Sequence, residues 1–367
     1  MENRLRTVAG VVVNPSFWQN KRVLLTGHTG FKGAWLALWL QQLGASVSGY
    51  ALPPASEPSA YEIFGLGDVM NSQFADVRDQ ELLARAIERT DPEIVFHLAS
   101  QAIVRDSLRH PATTFQTNLL GLVNLIEGLR HSDRPIALVN VTSDKVYDNR
   151  GNGDAFVETD RLGGADPYSA SKACAEIITH AYRATVLQGG KLRVSSARAG
   201  NVIGGGDWAP DRIVPDIVRA VAAAQTVTLR YPGATRPWQH VVEPLSGYLE
   251  LAERMVTEGP MVDGAYNFGP GEGTLKVSVA ELTEQLLAAF GSAHSWRKTD
   301  VTQPPEMQQL RIDSTKARTV LGWSTKLTVS EAVQWTVAWY KAWFQSEDMR
   351  QFSIGQLKTY QRNFCGV

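Results

Sequence analysis

Tyr168 and Lys172 stand four residues apart in the segment YSASK, within a stretch, 168–185, that we predict to be helical. At this spacing both side chains lie on one face of a helix. A phenol is a poor base at neutral pH, and a nearby ammonium group stabilises the phenolate and lowers its pKa. The pair could therefore remove a proton from a hydroxyl group, although tyrosine and lysine also occur at this spacing by chance.

Ser143, Asp144 and Lys145 follow the apolar segment IALVNVT (136–142), which we predict to be a buried strand. They place a hydroxyl and two ionisable groups at the carboxyl end of that strand, where open α/β sheets bind ligands. Ionisable groups at such an edge could take part in acid–base chemistry. The alternatives are that Asp144 caps a turn and that Lys145 pairs with it or stabilises an enolate.

Gly27, Gly30 and Gly33 come directly after the predicted strand 22–25 and open the predicted helix 34–43. Glycines here permit a tight turn and close packing of helix on strand. The amide groups at the helix start then form a seat for a pyrophosphate. The alternative is a glycine turn that binds no ligand. This alternative is less favoured because the other motifs lie at the same predicted sheet edge.

Apolar strands alternate with helices along the first two hundred residues, which predicts a parallel, doubly wound (Rossmann) sheet. The class is α/β, with a smaller mixed α/β C-terminal substrate lobe. We predict sheet strands at 22–25, 46–50, 72–76, 93–98, 136–142, 192–198 and 266–268. We predict further helices at 79–89, 111–130, 213–224, 244–257, 277–290 and 329–344.

The predicted organisation has four parts. Residues 1–14 form an N-terminal extension, and residues 15–200 form the dinucleotide-binding domain, to which 241–270 return. Residues 201–240 and 271–350 form the substrate lobe. Residues 351–367 form a C-terminal tail.

Composition excludes several classes of function. A formal net charge of −1 argues against a broad grip on nucleic acid. No apolar run approaches the ~20 residues that span a bilayer, and no signal peptide is evident. The two cysteines, Cys174 and Cys365, lack metal-ligand spacing, so we expect no metal and a cytoplasmic setting.

Several longer motifs together resemble a known family: TGHTGFKG, TSDKVYDN, ETDRLGGADPYSASKACAE, RAGNVIGGGDWAPDRIVPD, ATRPWQHVVEPLSGYL and NFGP. Over residues 15–345 the chain resembles the extended short-chain dehydrogenase/reductases and, within them, the CDP-glucose 4,6-dehydratases. Other hexose 4,6-dehydratases carry Thr-Asp-Glu where this chain has Ser143-Asp144-Lys145, which is similar to the cytidine-linked branch.

The resemblance implies an internal redox cycle on CDP-glucose with NAD, at the branch point to CDP-linked 3,6-dideoxyhexoses of O-antigen-type polysaccharides. Tyr168, held by Lys172, would take the 4-hydroxyl proton while Ser143 hydrogen-bonds that oxygen. Asp144 would protonate the departing 6-hydroxyl, and Lys145 would remove the C5 proton. The family also implies a homodimer or homotetramer, with helices near 115–130 and 169–185 packed between subunits.

The same resemblance assigns contacts to cofactor and substrate. Besides Tyr168 and Lys172, the cofactor residues are Gly27, Thr29, Gly30, Phe31, Lys32, Gly33, Asp76, Val77, Leu98, Ala99, Gln101 and Asn118. Asn118 would support a water network at Lys172. The substrate residues are Arg105, Asn201, Arg212 and Arg236. Solvated surface positions or surface salt bridges are the alternatives for Lys32, Asn118 and the arginines.

One feature departs from the pattern of NAD-binding proteins. The acid expected about 20 residues past the glycine turn, on the ribose 2′-hydroxyl, is missing, because the second strand ends Gly49-Tyr50-Ala51. No arginine follows to receive a 2′-phosphate, so NAD remains favoured over NADP. The competing functions are another nucleotide-sugar 4,6-dehydratase, a 4-epimerase, and a non-catalytic NAD(P)-sensing protein.

Overall fold

The computed structural model describes residues 13–149, 151, 153–271, 276–301, 307 and 309–364. The predicted N-terminal extension therefore lies almost wholly outside the described residues. Its last two residues precede helix α1 (Pro15–Trp18), where the Asn14 side chain accepts a hydrogen bond from the Ser16 amide. Val13 is buried.

A seven-stranded sheet forms the centre of the molecule. Its strands are β1 (Arg22–Thr26), β2 (Ser46–Ala51), β3 (Asn71–Phe74), β4 (Ile94–His97), β5 (Ile136–Val141), β6 (Leu192–Arg198) and β11 (Ala265–Asn267). They run in the order β11-β6-β5-β4-β1-β2-β3, and every neighbouring pair is parallel. The strand order reverses between β1 and β4, and ligands bind at such a switch point in doubly wound sheets.

Helices cover both faces of this sheet, as parallel sheets require. They are α2 (Phe31–Gln42), α3 (Ala60–Ile63), α4 (Gln80–Thr90), α5 (Val104–Arg109), α6 (Pro111–Phe115), α7 (Gly121–Leu129), α8 (Pro167–Ala181), α9 (Ile213–Ala222), α10 (Val242–Glu258), α11 (Val279–Phe290), α12 (Val329–Phe344) and α13 (Met349–Phe364). A π-helical turn at Gln116–Leu120 joins α6 to α7, so the predicted helix 111–130 is one nearly continuous rod. The predicted fold class is confirmed.

Short strand pairs build the region beyond β6. They are β7 (Val202–Ile203) with β10 (Gln239–His240), β8 (Val227–Leu229) with β13 (Trp296–Lys298), and β9 (Thr235–Arg236) with β12 (Val277–Ser278). One apolar core runs from the sheet through α2 and α10 into α12. In this core Trp35 donates its indole N–H to the Gly205 carbonyl at 2.8 Å.

Most of the segment 351–367, predicted to be a C-terminal tail, lies in helix α13, and residues 365–367 lie outside the described residues. Within α13, Leu357 and Tyr360 are buried, and the Tyr360 hydroxyl donates to Glu243 of α10 at 2.8 Å. Glu243 also accepts the amide groups of Lys326 and Leu327 at 2.9 and 2.6 Å. This carboxylate therefore joins three separate parts of the C-terminal half.

Candidate active site

Four strands bring their following loops to one edge of the sheet. The glycine turn follows β1, residues 98–101 follow β4, residues 143–145 follow β5, and residues 199–201 follow β6. Because these strands are parallel and adjacent, their carboxyl ends meet. Nearly all residues predicted to take part in chemistry lie there.

The glycine turn is shaped for close backbone approach. Gly27 has φ +77°, and a Cβ there would lie 2.6 Å from the Ala99 amide nitrogen. A Cβ on Gly33 would overlap the Gly27 carbonyl, whereas one on Gly30 would meet nothing nearer than 3.5 Å. In this part of the structure no side chain caps α2 and its first turn holds no acid. The free amides and the helix dipole fit a dinucleotide pyrophosphate.

Ser143, Asp144 and Lys145 form the start of a tight 3₁₀ turn, Asp144–Val146. The Ser143 hydroxyl accepts the Lys145 amide at 3.2 Å and donates to Asp144 Oδ1 at 3.1 Å. It also lies near enough to the Tyr168 phenol to act on the pKa of that group. Ser143 thus links the acid of the turn to the tyrosine of α8.

Asp144 has the surroundings of a general acid. Its residue is 1% exposed, and burial raises the pKa of its carboxyl group against the opposing charge of Lys145. Among the described residues, no group hydrogen-bonds its buried Oδ2. A Cβ on Gly200 would overlap this carboxyl group, so only glycine leaves it room. The sequence offered no signal for that role of Gly200.

Tyr168 and Lys172 lie on the same face of α8, as predicted, and both are buried. The expected lowering of the tyrosine pKa is wrong for the polypeptide alone. Burial raises the pKa of Tyr168 to about 12, against the opposing effect of the Ser143 side chain. Burial and the charge of Lys32 lower the pKa of Lys172 to about 7, and its Nζ donates to the Val141 carbonyl at 3.2 Å.

Lys32 belongs to this cluster rather than to solvent. Burial and the charge of Arg212 lower its pKa to about 8, while Asp144 acts in the opposite direction. Its Nζ lies 5.8 Å from the ring centre of Tyr248 in α10. The Tyr248 hydroxyl is buried without a hydrogen-bond partner among the described residues, and the charges of Tyr168 and Asp144 act on it. Sequence reasoning missed Tyr248, since nothing in its motif marks it.

Asn118 is buried and connects two elements of the site. Its side chain accepts the Gln101 amide at 2.8 Å and donates to the Ser171 hydroxyl at 2.8 Å. The surface alternative for Asn118 is therefore wrong. Its direct partners are Gln101 and Ser171, and a link to Lys172 through water stays a prediction.

The residues predicted to contact the adenosine part of the cofactor are mostly engaged with other protein groups. Asp76 is engaged by Arg78, whose Nη2 donates to Oδ2 at 2.6 Å, and this contact lowers the pKa of Asp76. Val77 is buried beneath Gly121. The Thr29 hydroxyl donates to the Leu52 carbonyl at 2.9 Å, just past the end of β2. Phe31 is partly buried against the core.

At the end of β2, where an acid was expected, the imidazole of His28 packs against Gly49, leaving no room for a side chain there. Burial lowers the pKa of His28 to about 4, so the ring is neutral.

The substrate residues separate into two groups. Arg212 and Arg236 place charge on the catalytic cluster, since they act on Tyr168 and Asp144 respectively. Arg212 also pairs with Asp207 at 3.0 Å. Arg105 lies on α5 and pairs with Asp211 at 2.9 Å, which leaves the surface alternative open for it.

Asn201 adopts the left-handed conformation, with φ 47°. Within the described ranges its buried Oδ1 has no partner. This oxygen therefore suits a polar group of a ligand.

The described residues contain neither a metal-ligand cluster nor a membrane-spanning helix. No three histidine, cysteine, aspartate or glutamate side chains among them come together as metal ligands would. None of these helices combines the length and apolar character needed to cross a membrane.

Known proteins share both the sequence pattern and the fold. The family model described as GDP-mannose 4,6 dehydratase matches residues 24–336. CDP-glucose 4,6-dehydratase from Salmonella typhimurium is 43% identical over 354 residues, which cover 95% of this chain and 98% of that protein. The chain belongs to the CDP-glucose 4,6-dehydratase family. The resemblance predicted from the sequence motifs is confirmed. The family lies within the extended short-chain dehydrogenase/reductases.

More distant dehydratases and epimerases are also similar to this chain. A dTDP-glucose 4,6-dehydratase from Xanthomonas campestris is 26% identical and covers 88% of this chain and 94% of that protein. The UDP-glucose 4-epimerase of Stenotrophomonas maltophila has a TM-score of 0.78 at 22% identity, covering 89% of this chain and 99% of that one. The NAD complex of Bacillus anthracis dTDP-glucose 4,6-dehydratase has a TM-score of 0.72 at 23% identity, covering 90% and 99%. These two structures show the shared fold.

Proposed function

We propose that this enzyme converts CDP-glucose to CDP-4-keto-6-deoxyglucose and water, with NAD as a resident cofactor. One observation carries the proposal: the Ser143 hydroxyl is hydrogen-bonded to Asp144 and lies near Tyr168, on whose pKa it acts. A base for a sugar hydroxyl thus stands near a buried acid whose pKa is raised. A simple 4-epimerase has no use for that acid, because it expels no water.

The cofactor would be held by Gly27, Gly30 and Gly33 at the start of α2, with Leu98, Ala99 and Gln101 beside it. NAD, when bound, accepts a hydride from C4 of the glucosyl ring and later returns it to C6. The uncapped amides of α2 support this placement. The dTDP-glucose 4,6-dehydratase solved with NAD has the same fold.

The first step belongs to Tyr168, Ser143 and Lys172. Tyr168 in its phenolate form takes the 4-hydroxyl proton as C4 loses its hydride, and the C–O bond becomes a ketone. Ser143 orients the sugar oxygen. The raised pKa of Tyr168 means that neighbouring charge must favour the phenolate. Arg212 already acts in this direction, and we propose the same role for Lys172, which lies on the same face of α8.

The second step belongs to Asp144 and Lys145. The 4-ketone acidifies C5–H, and Lys145 removes that proton. Asp144 protonates the 6-hydroxyl, the C6–O bond breaks, and water leaves. The pKa of Asp144, raised by burial, supports a protonated carboxyl group in this role. Lys145 returns its proton to C5 when hydride reaches C6.

Ser143 could restore the starting protonation states of Tyr168 and Asp144 after each turnover. After one turnover Tyr168 has gained the proton that left the 4-hydroxyl, and Asp144 has lost the one that left in water. Because Ser143 is hydrogen-bonded to Asp144 and lies near Tyr168, we propose that its hydroxyl is the path by which this proton returns to Asp144.

Arg212, Arg236 and Asn201 are the proposed contacts to the nucleotide diphosphate. Arginine recognises phosphate through several hydrogen bonds at once. The positions of Arg212 and Arg236 beside Tyr168 and Asp144 set the glucosyl ring next to the acid and base.

We also propose a homodimer through the helical face that α7 and α8 share. Leu120 and Ile177 are apolar and 46% and 56% exposed. Light scattering on the wild type and on Ile177→Glu tests this, with loss of the dimer expected in the variant.

The function is tested by incubating the pure protein with CDP-glucose, UDP-glucose and GDP-mannose, with and without added NAD. We expect a 4-keto-6-deoxy sugar from CDP-glucose alone. Inversion at C4 without loss of water would establish a 4-epimerase instead. No turnover of any sugar, with NAD still bound, would indicate a sensing protein.

A further inference from the structure

A chain of buried polar groups runs beneath the catalytic turn. The Thr142 hydroxyl donates to Glu176 Oε1 at 2.5 Å, and Glu176 Oε2 pairs with Arg198 Nη2 at 2.9 Å. Arg198 Nη1 donates to the Tyr147 hydroxyl at 2.8 Å, which donates to Asn267 Oδ1 at 2.6 Å. The ion pair is 3–4% exposed, and Thr142 and Tyr147 are buried as well.

The positions of these residues in the chain connect the network to the catalytic turn. Thr142 directly precedes Ser143, and Tyr147 directly follows the turn Asp144–Val146. Both ends of the turn are therefore tied to one ion pair. Glu176 lies four residues after Lys172 on α8, so the same pair is rigidly connected to the helix that carries the oxidation residues.

The two ends of the turn differ in their other support. The near end is continuous with β5, and Ser143 is hydrogen-bonded to Asp144 and acts on Tyr168. The far end, after Lys145, is held by backbone hydrogen bonds from Gly163 to Val146 and from Asp148 to Arg161, and by Tyr147, whose ring stacks on Phe156 at 4.7 Å and whose hydroxyl joins Arg198 to Asn267. We expect loss of that hydroxyl to loosen the elimination residues more than it loosens Ser143.

We propose that the Glu176–Arg198 pair, through Tyr147, is a brace that positions Asp144 and Lys145 for elimination separately from the oxidation at C4. Tyr147 and Arg198 are thus positioning residues: they reach the sugar only through the turn. This inference rests on the proposed function, since it assumes that one site performs both steps.

Tyr147→Phe tests the far end of the brace, because it removes only the hydroxyl and keeps the stacked ring. Thr142→Val tests the near end. Thr179→Val is the matched control: Thr179 accepts a buried hydrogen bond from Asn140 at 2.9 Å, which also joins β5 to α8 but does not reach the turn. Removing Glu176 or Arg198 is avoided, since it would leave a buried charge unpaired.

The readout separates oxidation from elimination. Reactions with CDP-glucose are quenched with borodeuteride, which labels every 4-ketone, and mass spectrometry then distinguishes 6-hydroxy from 6-deoxy sugars. We expect Tyr147→Phe to slow elimination about tenfold to a hundredfold, with 4-keto-6-hydroxy sugar accumulating and C4 oxidation nearly unchanged. We expect Thr142→Val to slow both steps, and Thr179→Val neither. CDP binding, measured by calorimetry, and the unfolding temperature should stay close to wild type in all three variants.

Two results would overturn the brace. In one, Tyr147→Phe slows both steps equally; in the other, it behaves like Thr179→Val. If Tyr147→Phe unfolds, the test passes to Thr142→Val, and a wild-type rate of elimination in that variant rejects the proposal. A wild-type enzyme that forms no 6-deoxy sugar would instead reject the proposed function, so the two failures are distinct.

Discussion

Replacing Gly200 by alanine should disable the acid while sparing the fold. The new Cβ would overlap the carboxyl group of Asp144, which is the end of a short side chain and can rotate away. Gly200 has no positive φ, so alanine brings no backbone strain. The free energy of unfolding should therefore fall by only about 1–3 kcal/mol, the range for one excess methyl group.

The effect on catalysis should be far larger than that on stability. A rotated Asp144 loses its bond to Ser143 and its place beside the 6-hydroxyl. Loss of a general acid lowers rates by about 10²–10⁴, which corresponds to about 3–5 kcal/mol in activation free energy. The assay is steady-state formation of the 4-keto-6-deoxy sugar, followed by its absorbance in alkali, together with thermal unfolding.

Gly233→Ala is the matched control, because a Cβ there meets nothing within 4 Å. It should keep wild-type kcat and stability. The reasoning is refuted if Gly200→Ala turns over at the wild-type rate, or if it loses activity only in proportion to an unfolded fraction.

Three other predictions follow from the same geometry. Lys145→Met should lower kcat by about 10²–10⁴ through loss of the C5 base, while CDP binding by calorimetry stays unchanged; undiminished exchange of the C5 proton with solvent would contradict this. Gly33→Ala places a Cβ against the Gly27 carbonyl and should weaken NAD binding at least about tenfold by fluorescence titration, whereas Gly233→Ala should not. Burial raises the pKa of Glu243 to about 7, so the folded state binds its proton more tightly than the unfolded chain does. Its contribution to stability is full below about pH 4.5 and is lost as pH rises through 7, by about 3 kcal/mol. Glu243→Gln should flatten that part of the stability curve, and an unchanged slope in urea titrations would reject the assignment.

Much of the fold could be predicted because its strands carry strong signals. β6 (Leu192–Arg198) has the bounds that the sequence predicts, because the segment lies between a pair of glycines and a loop, which mark its two ends. β3 (Asn71–Phe74) is shifted from the predicted 72–76, because it is a polar edge strand with weak pattern. Helix α13 was missed although Ser353, Leu357 and Tyr360 repeat at helical spacing, since Gly355 and many polar residues obscure it.

In the site, residue types could be predicted but their electrostatic states could not. The motifs indicated Ser143, Asp144 and Tyr168, and these three lie together. The pKa of Tyr168 moved in the opposite direction from that expected, because burial outweighs the nearby cations and no spacing rule measures burial. Gly200 and Tyr248 escaped notice for a related reason: their importance comes from what packs against them across the fold.

The order of strands also dictates when a growing chain can finish folding. β6 gains its outer partner only when Ala265–Asn267 have been synthesised, and Glu243 receives a donor from Tyr360, 117 residues further along the chain. Until both segments have been synthesised, the nascent sheet keeps an unpaired edge and the acid in α10 lacks one of its donors. Chaperones that bind exposed strand edges would therefore act on the unfinished chain.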